Sequence, residues 1–177
     1  MKGLPKLDRI DINILSQLQQ NSQITNLALA EAVSLSPSPC LARVKRLEKA
    51  GYIVSYNARL NLAKLVDHIV VFTEVTLEDH RRNDFVRFET TLKTYSALQE
   101  CHLVSGGYDY ILKFIARNVF HYHQIMEDIL SRDIGISKYF SYIVIKTVCV
   151  RDSVAIKELL DFTHTPGVES ELPDETE

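Results

Sequence analysis

Tryptophan is absent from this 177-residue chain, cysteine occurs three times, proline five times and glycine six times. So little glycine and proline excludes collagen-like and low-complexity chains. The cysteines, Cys40, Cys101 and Cys149, are odd in number and never in CxxC spacing. That excludes a disulfide scaffold and fits reduced thiols in a cytosol. Long apolar runs are missing as well: stretches such as Ile69 to Phe72 fall far short of the roughly 20 residues needed to cross a bilayer. The opening MKGLPKLDRID passes straight into charged, amphipathic sequence without the apolar segment of a secretory signal. A cytoplasmic location is the expectation. No P-loop, GxSxG, HExxH or Rossmann glycine pattern occurs, so nothing points to covalent catalysis or nucleotide chemistry.

What is present is ordinary in bulk, with 46% hydrophobic and 24% charged residues, enough for one large domain or two small ones. The net charge of −3 speaks against a nucleic-acid partner, but it conceals a division. Residues 1 to 60 carry eight Lys/Arg against four Asp/Glu, a balance of +4, and the remainder carries −7. Acidic residues without basic neighbours crowd the end of the chain, and two prolines interrupt them, so residues 163–177 read as a disordered acidic tail.

In the basic third, Leu7, Ile10, Ile14 and Leu18 recur at helical spacing between Asp8 as start signal and Asn21 as stop. Thr25 can cap a second helix with apolar positions Leu27, Leu29, Ala30 and Val33, closed by Ser34. Ser36 then reads as an N-cap, Pro37 as the first helical residue and Gly51 as the residue past the helix end. GYIVSYNARL supplies two β-prone pieces around a polar turn. Three helices and a small hairpin predict a winged helix-turn-helix over 1–60, followed by a linker at 61–67.

From His68 the pattern becomes strand, helix (Phe85, Phe88, Leu92 and Tyr95 on one stripe), strand, Gly106-Gly107 and strand. A helix with Val119, Tyr122, Met126 and Ile129 and a last strand, KYFSYIVIKTVCV, follow. This βαββαβ order predicts a ferredoxin-like domain over 68–162, making the chain α+β. RDSVAIKELLDF, near the end of that span, has helical character. The first and last strands are apolar on both faces, which implies that the open face of the sheet packs on a second copy. A homodimer is expected.

On the third helix, at about 100° per residue with Ala42 at zero, Arg46 falls at about 40°, Lys49 at about 340° and Lys45 at about 300°. Cys40, Val44 and Leu47 point the opposite way, toward a core, and Arg43 lies on the border. Cations dominate the outward face, with Glu48 the one acid beside them. A solvated surface helix would mix signs. Ser36, Ser38, Ala42, Arg43, Lys45, Arg46 and Lys49 are therefore the candidate DNA-binding residues, the N-terminal end approaching base edges in the major groove and the cations meeting phosphates.

LDRIDINILSQLQQNSQITNLALAEAVSLSPSPCLARVKRLEKAGYI and, further on, ECHLVSGGYDYILK resemble the two signatures of the Lrp/AsnC, or feast/famine, family of transcriptional regulators. The resemblance covers nearly the whole chain. It implies sequence-specific binding to double-stranded DNA by the first domain and effector sensing by the second. It also implies dimers that assemble to octamers or similar rings, and a small-molecule effector, commonly an amino acid, with no other cofactor. SGGYDY places Ser105, Gly106, Gly107, Tyr108 and Asp109 on the effector loop. A zwitterionic ligand needs a carboxylate for its ammonium, which Asp109 could supply, and backbone N–H groups for its carboxylate, which a Gly-Gly turn can offer. The apolar ECHLVSG run favours leucine or another aliphatic amino acid.

By spacing alone Gly106-Gly107 reads as a plain hairpin turn rather than a ligand loop, and the resemblance reverses that order. His121 and His123, two apart on a helix, cannot face one metal, and Cys101 and His102 alternate across a strand, with Cys101 expected in the core. The alternatives are an enzyme of the sirohaem decarboxylase type, with His102, His121 or His123 lining a tetrapyrrole cavity, and an amino-acid sensor without DNA binding. Neither gives the basic helix a purpose.

Overall fold

The computed structural model describes residues 5–151 and 153–160, and the chain divides into two compact units. Of the described residues, 5–58 together with 150–151 and 153–160 form the first, and Arg59–Cys149 the second. The acidic tail at 163–177 lies outside the described residues.

The first unit holds helices α1 (Arg9–Gln20), α2 (Asn26–Ala32) and α3 (Pro37–Lys49). Asp8 starts α1 through a reciprocal capping box: its carboxylate accepts the Asp11 N–H at 2.8 Å, and the Asp11 carboxylate accepts the Asp8 N–H at 3.1 Å. Thr25 caps α2 by accepting the Ala28 N–H at 3.2 Å. Ile14, Leu18, Leu29, Ala30, Val33, Cys40 and Leu47 are buried together between the three helices. Leu27, read as an apolar anchor of α2, is instead exposed, because Leu29, Ala30 and Val33 already turn the buried side of that short helix inward.

Helices α2 and α3 end in the same way. Leu35 N–H donates to Ala30 C=O and Ser34 N–H to Glu31 C=O, while Tyr52 N–H donates to Leu47 C=O and Gly51 N–H to Glu48 C=O. Both are Schellman closures, which need a left-handed residue past the helix end. Gly51 supplies it at φ 78°, but Ser34 adopts it with a side chain, at φ 56°. A Cβ at Gly51 would meet nothing within 4 Å, so the only penalty there is conformational. We expect Gly51→Ala to destabilise this unit by about 1 kcal/mol and Ser34→Gly to stabilise it by about 0.5 kcal/mol, read from urea midpoints.

The expected hairpin after α3 is not formed. Residues 53–61 run without a strand ladder, and Tyr56 is tied back by donating to the Glu48 carboxylate at 2.9 Å. Two β-prone pieces of this length cannot hold a ladder without a third strand or a packed face. Helix α6 (Ile156–Leu160), assigned from sequence to the second domain, packs on α1 within the first unit. Its helical character was legible; its destination was not.

The second unit orders β1 (Ile69–Leu77), α4 (Arg82–Leu92), β2 (Leu98–Leu103), β3 (Tyr110–Ala116), α5 (Val119–Ser131) and β4 (Ile136–Ile143). All pairings are antiparallel and the sheet order is β2-β3-β1-β4, the ferredoxin-like arrangement. The expected linker carries a single 3-10 turn, Leu62–Lys64. Val71, Val75 and Leu77 of β1 and Tyr110, Leu112, Phe114 and Ala116 of β3 are buried beneath Phe88 and Leu92 of α4 and Tyr122, Met126 and Ile129 of α5. The one buried hydroxyl of β1, Thr73, is satisfied by Tyr122 at 2.8 Å. The last strand starts two residues before Lys138 and stops at Ile143. Beyond it Val144 N–H makes one more bond, to Val70 C=O at 2.9 Å, and the apolar run then leaves the sheet, with Ile145 and Val148 exposed.

Candidate functional site

Helix α3 presents its N-terminus and one long side outward. Prolines stand at its first and third positions, so Ser38 alone offers a free N–H among the first three residues, and the Ser36 hydroxyl makes no capping bond. Asn26 steadies this end by donating to Pro37 C=O at 2.9 Å. Ser36, Ser38, Ala42, Lys45, Arg46 and Lys49 are exposed and Arg43 is half-buried. Lys45 and Lys49 make no ion pair among the described residues. As expected, Cys40 and Leu47 are buried behind them and Val44 packs on the same core.

The two arginines behave differently from the lysines. Arg43 Nη1 reaches Asp8 at 2.6 Å and Asp11 at 2.8 Å, and Arg46 Nη2 reaches Asp11 at 2.5 Å. Reading α3 alone placed only Glu48 near Arg46; the acid that meets it comes from α1. Neither Asp8 nor Asp11 was singled out beyond helix initiation. Their spacing announces a capping box, but nothing local announces a partner more than 30 residues away. The Asp11 N–H and then Arg43 hold the Asp8 carboxyl below its ordinary value, and Asp8 and then Asp11 keep the Arg43 guanidinium more firmly protonated. A carboxyl depressed in the folded state adds stability above its unfolded value and loses it as pH falls through the folded one. The first unit should therefore soften below about pH 4, and Asp8→Asn should flatten the fall in Tm between about pH 5 and pH 3.

In the second unit, residues 104–109 join β2 to β3, with Ser105, Gly106 and Gly107 exposed and Tyr108 and Asp109 half-buried. The loop is closed by Val104 N–H donating to Asp109 C=O at 2.9 Å and fastened to β1 by Asp109 N–H donating to Val75 C=O at 2.9 Å. The Asp109 side chain, 18% exposed, is already engaged. Its Oδ2 accepts the Leu77 N–H at 2.8 Å and its Oδ1 pairs with His80 Nε2 at 2.9 Å. An ammonium group at Oδ1 would have to share that oxygen with His80 or displace His80, a residue that sequence reading passed over. Asp109→Ala would strip the nearly buried Leu77 N–H of its acceptor, so we expect it to destabilise the second unit by about 1–3 kcal/mol. Asp109→Asn, which retains an acceptor, should lose less, and denaturant titration of both variants checks this.

The remaining candidates separate. His102 sits across from Ile111 on the open face of the sheet, whereas His121 and His123 belong to α5 on the covered face, so the three cannot line one cavity. His121 Nδ1 accepts the Arg117 N–H and His123 pairs with Glu127, and among the described residues no group of His, Cys, Asp or Glu could hold a metal ion. Cys101 is exposed, contrary to the expected core position, because β2 is an edge strand and its helix-facing side is incompletely covered. Among the described residues no helix is long and apolar enough to cross a membrane.

Comparison with known proteins agrees with this division. Residues 7–54 match a winged helix-turn-helix DNA-binding model, and residues 70–154 match the Lrp/AsnC ligand binding domain. The chain is 46% identical over 143 residues to the transcriptional regulatory protein DoeX of Halomonas elongata, covering 81% of this chain and 90% of that one. It is 40% identical over 151 residues to the leucine-responsive regulatory protein of Escherichia coli K12, covering 85% and 92%. Among solved structures, the transcriptional regulator NMB0573 of Neisseria meningitidis in complex with L-Met superposes with a TM-score of 0.80 at 30% identity, over 88% of this chain and all of that one. These relatives are regulators, not enzymes. With a helix-turn-helix unit, a four-stranded ligand-binding unit and such relatives, the chain belongs to the Lrp/AsnC family of DNA-binding transcriptional regulators.

Proposed function

We propose that the protein binds sequence-specific sites on double-stranded DNA as a homodimer and that an amino acid modulates its binding or assembly. The observation that carries this reading is the outward side of α3, where unpaired Lys45 and Lys49 flank exposed Ser38 and Ala42 beside an uncapped Ser36 hydroxyl. The serines and Ala42 approach base edges and the lysines meet phosphates. Two such helices about 34 Å apart, one from each chain, engage successive turns of the major groove. Ser105, Gly106, Gly107 and Tyr108 form the effector loop, with Asp109 as its fastening. The effector is an apolar amino acid: the Escherichia coli relative is named leucine-responsive and the Neisseria structure is a complex with L-Met. Dimers assemble further, to octamers or similar rings, and the effector acts by preferring one assembly, a coupling of typically 1–3 kcal/mol.

The test is a fluorescence-anisotropy titration on a duplex from upstream of the protein's own gene, at two salt concentrations and with a panel of amino acids. Sub-micromolar, salt-sensitive binding altered by one or a few of them is the expected result. Absence of binding even at low salt would overturn the DNA reading, and indifference to every amino acid would overturn the effector reading.

A further inference from the structure

Asp11 is the one acidic side chain wholly buried among the described residues, at 0% exposure. Both of its oxygens are engaged, Oδ1 by Arg43 and Oδ2 by Arg46 and the Asp8 N–H. Attaching α1 to α3 does not call for such a charge. Ile14, Leu18, Cys40 and Leu47 already join the helices, and an apolar pair commonly does as well as a buried ion pair. What a carboxylate adds is direction, because it holds a planar guanidinium in one orientation.

Arg46 is the arginine on which that direction has an outward consequence. Arg43 spends one nitrogen on two carboxylates and is 28% exposed, whereas Arg46 touches Asp11 through Nη2 alone and stays 46% exposed. Its Nη1 and Nε make no bond among the described residues, and its position on α3 lies beside Ala42 and Lys49. Lys45 and Lys49 are mobile point charges that can follow whichever phosphate is near. A guanidinium tethered from behind through one nitrogen has lost part of its rotamer freedom before DNA arrives and meets a phosphate over a narrower range of positions. Phosphate contacts of that kind fix the register of a recognition helix on the duplex.

We propose that Asp11 is a positioning residue for DNA recognition: by holding Nη2 of Arg46 it aims the rest of that guanidinium at one backbone phosphate and so sets the register in which α3 meets base edges. This rests on the reading of α3 as the DNA-binding helix. It separates from simple electrostatics by sign. Removing a carboxylate beside the DNA should, through charge alone, tighten binding to every duplex. Removing a positioning group should weaken binding to the correct site and spare binding to others.

The experiment uses the full chain, a duplex it selects from a random pool, and a scrambled duplex of equal composition. Asp11→Asn keeps an acceptor for the Asp8 N–H and leaves Arg43 paired with Asp8, so α1 stays tied to α3. We expect Asp11→Asn to bind the scrambled duplex as well as or better than the parent and the selected duplex less well, lowering the ratio at least tenfold. Arg46→Lys, which keeps a cation beside Asp11 at a position 46% exposed, should lower the ratio similarly with little change in the salt slope. The double variant should lose no more than either single one. A folded Asp11→Asn protein with an unchanged ratio, or one that tightens on both duplexes in parallel, overturns the proposal; so does an unchanged ratio for Arg46→Lys if Asp11→Asn does not fold. Failure of the parent protein to select any duplex would instead overturn the DNA reading on which the proposal stands.

Discussion

Replacing Lys45 and Lys49 together by alanine is expected to weaken DNA binding about 1,000-fold near physiological salt, on selected and scrambled duplexes alike. Both lysines are exposed on the outward side of α3 and neither is tied to an acid among the described residues. Each cation that neutralises a phosphate contributes about −0.9 to the slope of log K against log salt. Two lysines in each of two chains make four such contacts, so the slope should flatten by between about 3 and 4. At about 0.15 M salt each contact is worth about 0.7 log units, which gives the stated loss. The size of the slope change also counts chains: a flattening of about 1.8 would mean that one chain, not two, reaches the DNA. Stability should move by less than about 0.5 kcal/mol, because neither side chain is buried or partnered. A slope that does not change would remove both lysines from the interface.

The contrast between these lysines and the arginines shows what the sequence could and could not convey. Helix starts and stops were readable because they are local: Asp8, Thr25, Pro37 and Gly51 act within three or four residues of themselves, and Ser36 holds the N-cap position although its hydroxyl makes no capping bond. The βαββαβ order was readable for the same reason, period by period. The acid behind Arg46 was not legible because it lies 35 residues away, and helical angles on α3 say nothing about α1. Asp109 is a similar case. Its carboxylate looked available for a ligand, but β1 runs beside the loop and supplies Leu77 N–H and, just beyond its end, His80. The extent of β4 failed differently, since the apolar alternation of residues 144–150 is strand-like whether or not a neighbour is present to pair with it.

The open face of the sheet carries the second large expected effect. Phe72 lies opposite Tyr142 and Glu74 opposite Phe140, while Val70 and Ile115 pair on the adjoining strand. Phe72 is 38%, Tyr142 53% and Phe140 57% exposed, so the face away from α4 and α5 is an aromatic surface set in a sheet. Glu74 accepts from Tyr142 at 3.2 Å, and Glu100 pairs with Lys113 toward the β2 edge at 2.6 Å, which keeps the polar groups of this face satisfied without removing its apolar centre. A two-fold partner would cover that centre with its own copy, each residue meeting its symmetry mates. The double substitution Phe72→Asp and Phe140→Asp would then place four carboxylates in one apolar interface, where the cation opposite Phe72, Lys113, is already paired with Glu100. Burying even one such charge costs several kcal/mol, so the dimer dissociation constant should rise at least about 1,000-fold. The monomer should remain folded, because the core residues Val71, Val75, Leu112 and Phe114 point to the other face. Light scattering with circular dichroism reads both quantities. A variant that stays dimeric at low micromolar concentration would move the interface away from this face, toward the exposed apolar segment after β4. A folded monomer should also show about half the parent's salt slope on DNA, joining the assembly of this sheet to the charge count of α3.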